Sequence, residues 1–180
     1  MDVFQAIKER RSIRAFSSEA VRDDDLTKML EAAIWAPSAG NLQPWEFIIV
    51  KSPAKKKEIA RAALYQMFIA EAPVVIVVCA NIPKTSRVYG ERGSSLYCIQ
   101  DTAAAIQNLL LAVHALGYGA CWVGAFREEE VKKILKLPQY VRPVAIIPIG
   151  KPAEKPKPPR RVSIDEITYY EEYGRFWKVQ

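Results

Sequence analysis

The sequence predicts an α+β protein whose helices flank a central β-sheet. Short runs rich in Val and Ile indicate strands, and longer amphipathic or wholly apolar runs indicate helices. The two kinds of run are mixed along the chain and do not alternate strictly, which fits an α+β sandwich. The chain has 180 residues, half of them apolar, so we expect residues 1–180 to form one domain with a substantial core.

The first part of the chain begins with two predicted helices. Asp2–Glu9 carries Val3, Phe4 and Ile7 on one face, as an amphipathic helix does. Asp23–Trp35 starts with acidic residues, which the helix dipole favours at an N-terminus. The elements predicted to follow are a strand at Trp45–Val50, a helix from Pro53 to about Ile69, and a buried strand at Pro73–Ala80.

The second part is organised around one long helix. Leu96–Leu116 is apolar on nearly every face, which predicts burial on all sides. Its uninterrupted part, Asp101–Leu116, would measure about 24 Å, short of the ~30 Å hydrocarbon layer, so we expect a core helix and no membrane span. The neighbouring predictions are a loop or helix start at Gly90–Ser95, a short strand at Ala120–Val123, a surface helix at Arg127–Leu135 and a buried strand at Val141–Ile149.

The composition changes after Gly150. Five prolines lie within Pro148–Pro159, and five Lys or Arg residues lie within Lys151–Arg161. This composition predicts an extended arm over about 151–180 with little core of its own. Aromatic residues near the end of the arm indicate that it is held against a neighbouring surface.

The net charge of +6 suggests anionic partners. Cationic side chains cluster at Lys8–Arg14 and again at Lys151–Arg161, and the two clusters either converge on one phosphate or form solvated surface. A basic nucleic-acid-binding module is the alternative class of function. The absence of a basic strand interleaved with aromatic residues argues against it, so we expect no nucleic-acid partner.

The cysteines and the single histidine of the sequence are interpreted as structural residues and not as catalytic ones. Cys79, Cys98 and Cys121 sit in apolar contexts without a Cys-x-x-Cys pair, which predicts buried, reduced thiols and a cytoplasmic protein. His114, the only histidine, falls within the apolar helix and is interpreted as a core or interface residue. No catalytic triad, metal cluster or Gly-rich phosphate loop stands out in the sequence.

Four short segments carry a more specific signal. They are RRSIR at Arg10–Arg14, APSAGNLQPW at Ala36–Trp45, the Ala72-Pro73 pair before a strand, and LGYGACWVG at Leu116–Gly124. In this order and spacing the segments resemble the FMN-dependent nitroreductase family, and the resemblance extends from Val3 to about Ile167. It implies a nitroreductase-like sandwich with a mostly antiparallel sheet, and an intertwined homodimer.

A phosphate site needs guanidinium groups, because their planar forks bind phosphate oxygens bidentately. Arg10, Ser12 and Arg14 would share one face of an extended segment. The resemblance implies that these three contact the FMN phosphate and ribityl chain. It also implies further contacts from the backbone of Arg11 and from either Arg160 or Arg161.

The flavin ring needs a flat apolar surface with a few hydrogen-bonding groups. By the resemblance, one wall is a loop that belongs largely to the partner subunit, with contacts from Pro37, Ser38, Ala39, Asn41 and Gln43. A second wall is the segment Val123, Gly124 and Ala125, whose backbone N–H would point toward flavin N5. Some relatives have Glu at the position of Gly124, so here the contact would come from backbone alone. Gln66 is a further expected polar contact.

The resemblance implies an oxidoreductase that passes hydride from NADH or NADPH through flavin N5 to nitroaromatic, quinone or flavin acceptors by a ping-pong mechanism. No catalytic side chain and no metal are expected, and the partners would be a second copy of the chain and a small flat aromatic acceptor. A reductive dehalogenase or a flavin-fragmenting enzyme of the same family is the closest alternative.

Overall fold

A computed structural model describes residues 1–177 and contains a four-stranded antiparallel sheet with helices on both faces. The strands are β1 (Trp45–Val50), β2 (Val74–Asn81), β3 (Gly119–Ala120) and β4 (Val141–Gly150), in the order β1-β2-β4-β3. The helices are α1 (Val3–Glu9), α2 (Asp23–Ile34), α3 (Pro53–Ala62), α4 (Phe68–Glu71), α5 (Ile82–Arg92), α6 (Cys98–Ala115), α7 (Glu128–Leu135) and α8 (Ile164–Ile167). The predicted α+β sandwich with an antiparallel sheet is confirmed.

Strand β2 explains why a continuous apolar run forms a strand here. It lies between β1 and β4 and both of its faces are covered. Val74, Ile76 and Val78 belong to the core on the side of α2 and α6, whereas Val75 and Val77 belong to the core on the side of α3 and α7. Since neither face meets water, the strand has no polar alternation.

Two predicted elements are shorter in the structure than the sequence suggested. The helix that begins at Pro53 ends at Ala62, because Leu64 and Tyr65 adopt positive φ angles of 56° and 61°, and α4 begins only at Phe68. The strand predicted at Ala120–Val123 is Gly119–Ala120, and Val123 makes only an isolated bridge to Ile146. Both errors concern residues whose backbone leaves regular geometry while the side chains remain apolar.

Helix α5 was not predicted, and the loop or helix start expected at Gly90–Ser95 lies at its end. Pro83 in the first turn suits a helix start. The helical run is kinked at Gly90 (φ 55°, ψ −135°) and continues as one π-helical turn over Gly93–Tyr97 before α6 begins at Cys98. The long apolar helix is confirmed, with bounds two residues later at its start and one earlier at its end.

Helix α6 packs inside the protein against α2 and the sheet. Ala105, Ile106, Leu109 and Val113 are fully or almost fully buried in the core. By length and composition alone, the 34-residue helical run Ile82–Ala115 could cross a membrane. The kink at Gly90 and the burial of one side of α6 agree with the predicted core helix. The predicted burial on all sides is wrong for the protomer, because Gln107 and Ala115 on the other side are exposed.

Two apolar surfaces of the protomer lack cover within residues 1–177. The face of α1 predicted to be apolar is exposed: Val3, Phe4 and Ile7 have 59%, 72% and 52% of their surface accessible. The second surface is the outer part of the arm, where Ile164 and Ile167 are exposed, together with most of the aromatic residues that follow.

The arm is attached to the body at its base. Pro152 forms a bridge with Phe16, and the Ala153 N–H donates to Ala15 O at 2.9 Å. Beyond the extended segment the arm forms α8 and a small turn closed by a bridge between Tyr169 and Phe176. The last part of the predicted arm, 178–180, lies outside the described residues.

The three cysteines are free and buried, as predicted. Cys79 lies on β2, and burial raises the pKa of its thiol to about 12, with the negative charge of Glu46 acting in the same direction. Such a thiol is neutral at physiological pH and unreactive.

We expect Gly119→Ala to destabilise the fold by about 1–3 kcal/mol, the usual cost of overpacking. A Cβ at Gly119 would lie 2.7 Å from Ile13 Cγ1 and 2.8 Å from Ile13 Cβ. Gly124→Ala is the matched control, because a Cβ there would meet only Trp122 Nε1 at 4.0 Å. Urea unfolding measures both variants, and equal free energies of unfolding would contradict the tight contact at Gly119.

Candidate functional site

A cluster of cations lines a cavity of about 250 Å³ between the end of α1 and the arm. The lining contains no carboxylate; its residues are Arg10, Arg11, Ser12, Arg14, Pro156, Lys157, Pro159 and Arg161. The two basic segments of the sequence therefore converge. Among residues 1–177, no ion pair joins any of the four arginines to an acidic side chain. Four guanidinium groups without an ion-paired carboxylate make this cavity a candidate anion site.

The sheet edge positions the N-terminal half of this cluster. Ser12 forms a parallel bridge with Ala120, and the Ile13 N–H donates to Ala120 O at 2.9 Å. Ile13 is buried, so the residues on either side of it point away from the core. The pairing with Ala120 holds Ser12 and Arg14 on the cavity side.

Arg10 is the most constrained of the four arginines. Its guanidinium is partly buried, and burial lowers its pKa, with Arg161 and then Arg11 lowering it further. A bound anion would relieve this repulsion. Both Arg160 and Arg161 are exposed, but only Arg161 lines the cavity and acts on Arg10, so Arg161 completes the cluster.

Two other cations in the cluster have local contacts. The Arg11 side chain turns back, and its Nη1 donates to Lys8 O at 2.6 Å and to Arg10 O at 2.8 Å. The Arg14 guanidinium lies 5.9 Å from the centre of the Phe68 ring. The N–H groups of Arg14 and Ala15 donate to Glu154 Oε1, which ties the arm to this segment.

The segment Val123–Ala125 lies beside the same region. Val123 exchanges backbone hydrogen bonds with Ile146 at 2.9 and 3.0 Å. Gln66 Nε2 donates to Ala63 O at 2.9 Å and to Ala125 O at 3.1 Å, so two sequence-predicted residues are in direct contact. Gly124 is exposed with open space around it. Because Phe68 follows Gln66 closely and contacts Arg14, this segment is continuous with the cationic cluster.

The loop Pro37–Gln43 has an unusual backbone. Gly40, Asn41 and Gln43 have positive φ angles of 55°, 57° and 49°. Within the loop, the Gln43 N–H donates to Ser38 Oγ at 3.1 Å, and Gln43 Nε2 donates to Asn41 O and Oδ1, both at 3.2 Å. These bonds hold the two predicted amide side chains together in one compact turn.

Contacts from outside the loop also fix it. The Ala39 N–H donates to Asp101 Oδ1 at 3.0 Å, and Lys84 Nζ donates to Gln43 O at 3.2 Å. A Cβ at Gly40 would lie 2.6 Å from Tyr89 Oη, so only glycine fits there. The loop is thus anchored to α5 and to the first turn of α6.

Within one protomer, the loop and the cationic cluster lie at opposite ends of α6. Asp101, which holds the loop, is in the first turn, whereas Leu110, Val113 and His114 line a 450 Å³ cavity that also contains Arg10. The rise of 1.5 Å per residue separates Asp101 from Val113 by about 18 Å. In a single copy, the structure therefore brings the Arg10–Arg14 segment and Arg161 together, whereas the loop Pro37–Gln43 lies apart from them.

Two site residues were not predicted from the sequence. Lys157 was seen only as part of the basic arm, with no signal that separated it from its neighbours. Asp101 had a signal, since it is the last charged residue before the uncharged run 102–126. An isolated carboxylate at the start of an apolar helix indicates a specific partner, because burying a charge is otherwise unfavourable.

The fold and the site can be compared with known proteins. The profile of the Nitroreductase family matches residues 7–70 and 61–151. A protein of Methanothermobacter thermautotrophicus, provisionally named NADH dehydrogenase/NAD(P)H nitroreductase, is 38% identical over 160 residues, which cover 87% of this chain and 80% of that protein. The FMN reductase [NAD(P)H] of Bacillus subtilis is 29% identical over 185 residues, covering 96% and 74% of the two chains.

A solved structure agrees with this assignment. The crystal structure of a nitroreductase family protein from Clostridium novyi superposes with a TM-score of 0.78 at 34% identity, and covers 98% of this chain and 97% of that one. The architecture is thus that of the nitroreductase fold. The chain belongs to the nitroreductase family, and it is an oxidoreductase of that family.

The cationic cavity can be tested with the simplest anion. Inorganic phosphate should raise the melting temperature of the ligand-free protein, because an anion that binds only the folded state stabilises it. Arg161→Ala should lose most of this increase, whereas Arg160→Ala should keep it. Differential scanning fluorimetry measures the shift against sodium chloride of equal ionic strength. Equal shifts in the two variants would contradict the assignment of Arg161 to the cavity.

Proposed function

We propose that the chain is an FMN-dependent NAD(P)H oxidoreductase that acts as a homodimer with flavin sites shared between copies. The observation that carries the proposal is the group of four arginines around one cavity, none of them ion-paired with a carboxylate within residues 1–177. The flavin phosphate is the natural occupant, since it carries nearly two negative charges and accepts bidentate guanidinium bonds. The relatives named for FMN and NAD(P)H support the same cofactor and electron donor.

The residues around the cavity fit the chemistry of FMN. Arg10 and Arg161 would hold the phosphate, and Arg11 would contribute backbone contacts because its side chain is turned back. Ser12 and Arg14 would meet the ribityl chain on the side that leads to Phe68. The partly desolvated Arg10 gains most from an anion, which would offset the repulsion of its neighbours.

The segment Val123–Ala125 and Gln66 fit the ring end of the cofactor. Gly124 presents bare backbone with open space above it, so a flat ring can approach its N–H closely. Gln66 is held between Ala63 O and Ala125 O, with its amide at the edge of that space. Bound FMN would accept hydride from NAD(P)H at N5 and deliver it to a flat nitroaromatic, quinone or flavin acceptor in a ping-pong cycle.

The chain's own contribution is to position the flavin and its substrates and to exclude water from them. No titratable side chain contacts Val123, Gly124 or Ala125 through a hydrogen bond within residues 1–177, so proton transfer by the protein is not part of the proposed mechanism. Alignment of donor and acceptor on one face of a ring supplies the rate advantage of proximity.

A second copy would complete the site. The loop Pro37–Gln43 is bound at Asp101, in the first turn of α6, whereas Arg10 shares a cavity with Val113 about 18 Å further along the helix, so the loop would serve the cluster of the partner. The exposed apolar face of α1 and the apolar outer arm provide surface for such a dimer. The buried, neutral thiols suit a reducing compartment, and we place the protein in the cytoplasm.

A flavoprotein of this kind should be yellow as purified, with absorption bands that bleach when NADH or NADPH is added without oxygen. Arg10→Ala should weaken FMN binding by about 1.5–3 kcal/mol, the range for hydrogen bonds to charged groups. Riboflavin, which lacks the phosphate, should lose much less. Fluorescence titration measures both affinities, with Arg160→Ala as the control. Equal losses for the two flavins would contradict the phosphate assignment.

Gly124→Val and His114→Gln separate steric access to the ring from acid–base catalysis. Gly124→Val should fold normally, since the site is open, but a β-branched side chain would obstruct ring docking and lower the rate of flavin reduction. His114→Gln should keep most of that rate, because His114 lines the cavity beside Arg10, which contains no residue of Val123–Ala125, and burial lowers its pKa. Stopped-flow reduction by NADH, corrected for bound flavin, gives both rates. The reverse pattern would show that the ring lies elsewhere.

A further inference from the structure

The buried carboxylate of Asp101 is unfavourable for stability, so its presence needs another explanation. The residue is 7% exposed, in the first turn of α6, and its Oδ1 accepts the N–H of Ala39 at 3.0 Å. Its Oδ2 is buried and has no hydrogen-bond partner within residues 1–177. A carboxylate removed from water in return for one N–H bond is unfavourable for folding. A functional constraint is the natural reason for its presence.

Asp101 contacts the loop Pro37–Gln43, whose conformation needs contacts from outside the loop to stabilise it. Three of the seven residues in Pro37–Gln43 have positive φ, and two of those, Asn41 and Gln43, are not glycine. Each such conformation is intrinsically disfavoured and persists only where surrounding contacts enforce it. The bonds of Gln43 to Ser38 and Asn41 are local and would move with the loop. The Ala39–Asp101 bond joins the loop to the core helix across 62 positions of sequence.

We infer that Asp101 is a positioning residue that sets the loop Pro37–Gln43 in the conformation that receives the flavin ring of the partner's site. The inference rests on the proposed function, and it adds a residue that does not itself contact the cofactor. Asp101 thereby couples binding of the flavin ring to the position of α6. The other end of this helix lies behind the cationic cluster.

Because Asp101 acts at the ring end, its loss should affect flavins with and without phosphate alike. Asp101→Ala should weaken FMN and riboflavin binding equally, by about tenfold, which corresponds to about 1.4 kcal/mol. Arg161→Ala should instead weaken FMN selectively. Asp101→Asn is the conservative rescue: its Oδ1 still accepts the Ala39 N–H, and it should bind both flavins nearly as the parent does. A merely structural role for Asp101 would not give this pattern of rescue.

Ala39→Pro removes the donor of the same bond without altering α6. The substitution suits the local backbone, since Ala39 begins a 3-10 turn and the preceding Ser38 is extended (φ −146°, ψ 154°). Ala39→Pro should reproduce the loss seen with Asp101→Ala, and the double variant should be no worse than either single one. Additive losses would overturn the inference, because residues acting through one bond are not independent. If Asp101→Ala does not fold, the comparison of Ala39→Pro with Asp101→Asn decides, and an Ala39→Pro protein with parental flavin affinity overturns the inference.

A mixed dimer tests whether Asp101 serves the other copy. One chain carries Asp101→Ala and its partner carries Arg161→Ala, with different tags for purification. In a shared arrangement, one site receives both defects and the other receives none. The mixed dimer should then retain about half of the flavin that the parent binds, at a concentration where weakened sites are empty. A flavin content as low as in the two homodimeric variants would overturn the assignment to the partner's site.

The failure of the inference is distinguishable from the failure of the proposed function. A parental protein that binds no FMN contradicts the proposed function itself. A parental protein that binds FMN, while Asp101→Ala binds both flavins equally tightly, contradicts only the role of Asp101.

Discussion

Helix α6 packs one side against α2 and the sheet, and both halves of the candidate site take their positions from it. Its first turn holds the loop Pro37–Gln43 through Asp101, and its last turns lie behind Arg10. The helix can do this because its buried residues are small or aliphatic and fit closely in the core. The same packing fixes the distance between the two functional regions.

The cationic cluster illustrates a second constraint, which opposes folding. Arg10, Arg11, Arg14 and Arg161 repel one another, and the burial of Arg10 adds a desolvation cost. The fold tolerates this because backbone pairing with Ala120 holds the segment, and the Glu154 carboxylate binds the Arg14 and Ala15 N–H groups. A binding site for a small anion thus stores repulsion that its ligand removes.

Much of the fold could be predicted from periodicity and from proline and glycine positions. Strands β1, β2 and β4 and helix α6 have patterns long enough to be recognised. The break after Ala62 could not be predicted, because Leu64 and Tyr65 adopt positive φ angles that their residue types do not favour. Helix α5 was missed although its amphipathic pattern resembles that of α2, because Gly90, where the helical run is kinked, interrupts the pattern.

The candidate site was predicted unevenly for related reasons. The residues of the Arg10–Arg14 segment were named from charge and spacing, and the structure brings them to one cavity. Which of Arg160 and Arg161 lines the cavity could be decided only from the structure. Neighbouring residues of an extended arm point in opposite directions, and the sequence does not say which side faces the body. The role of Asp101 also required the structure, because Ala39, which it contacts, is far away in sequence and bonds through its backbone.

For α6, insertion or deletion of one residue between Asp101 and Leu110 would rotate one end of the helix relative to the other by about 100°. A change of length within this helix would therefore misalign the loop with the cationic cluster, even if each region kept its own residues.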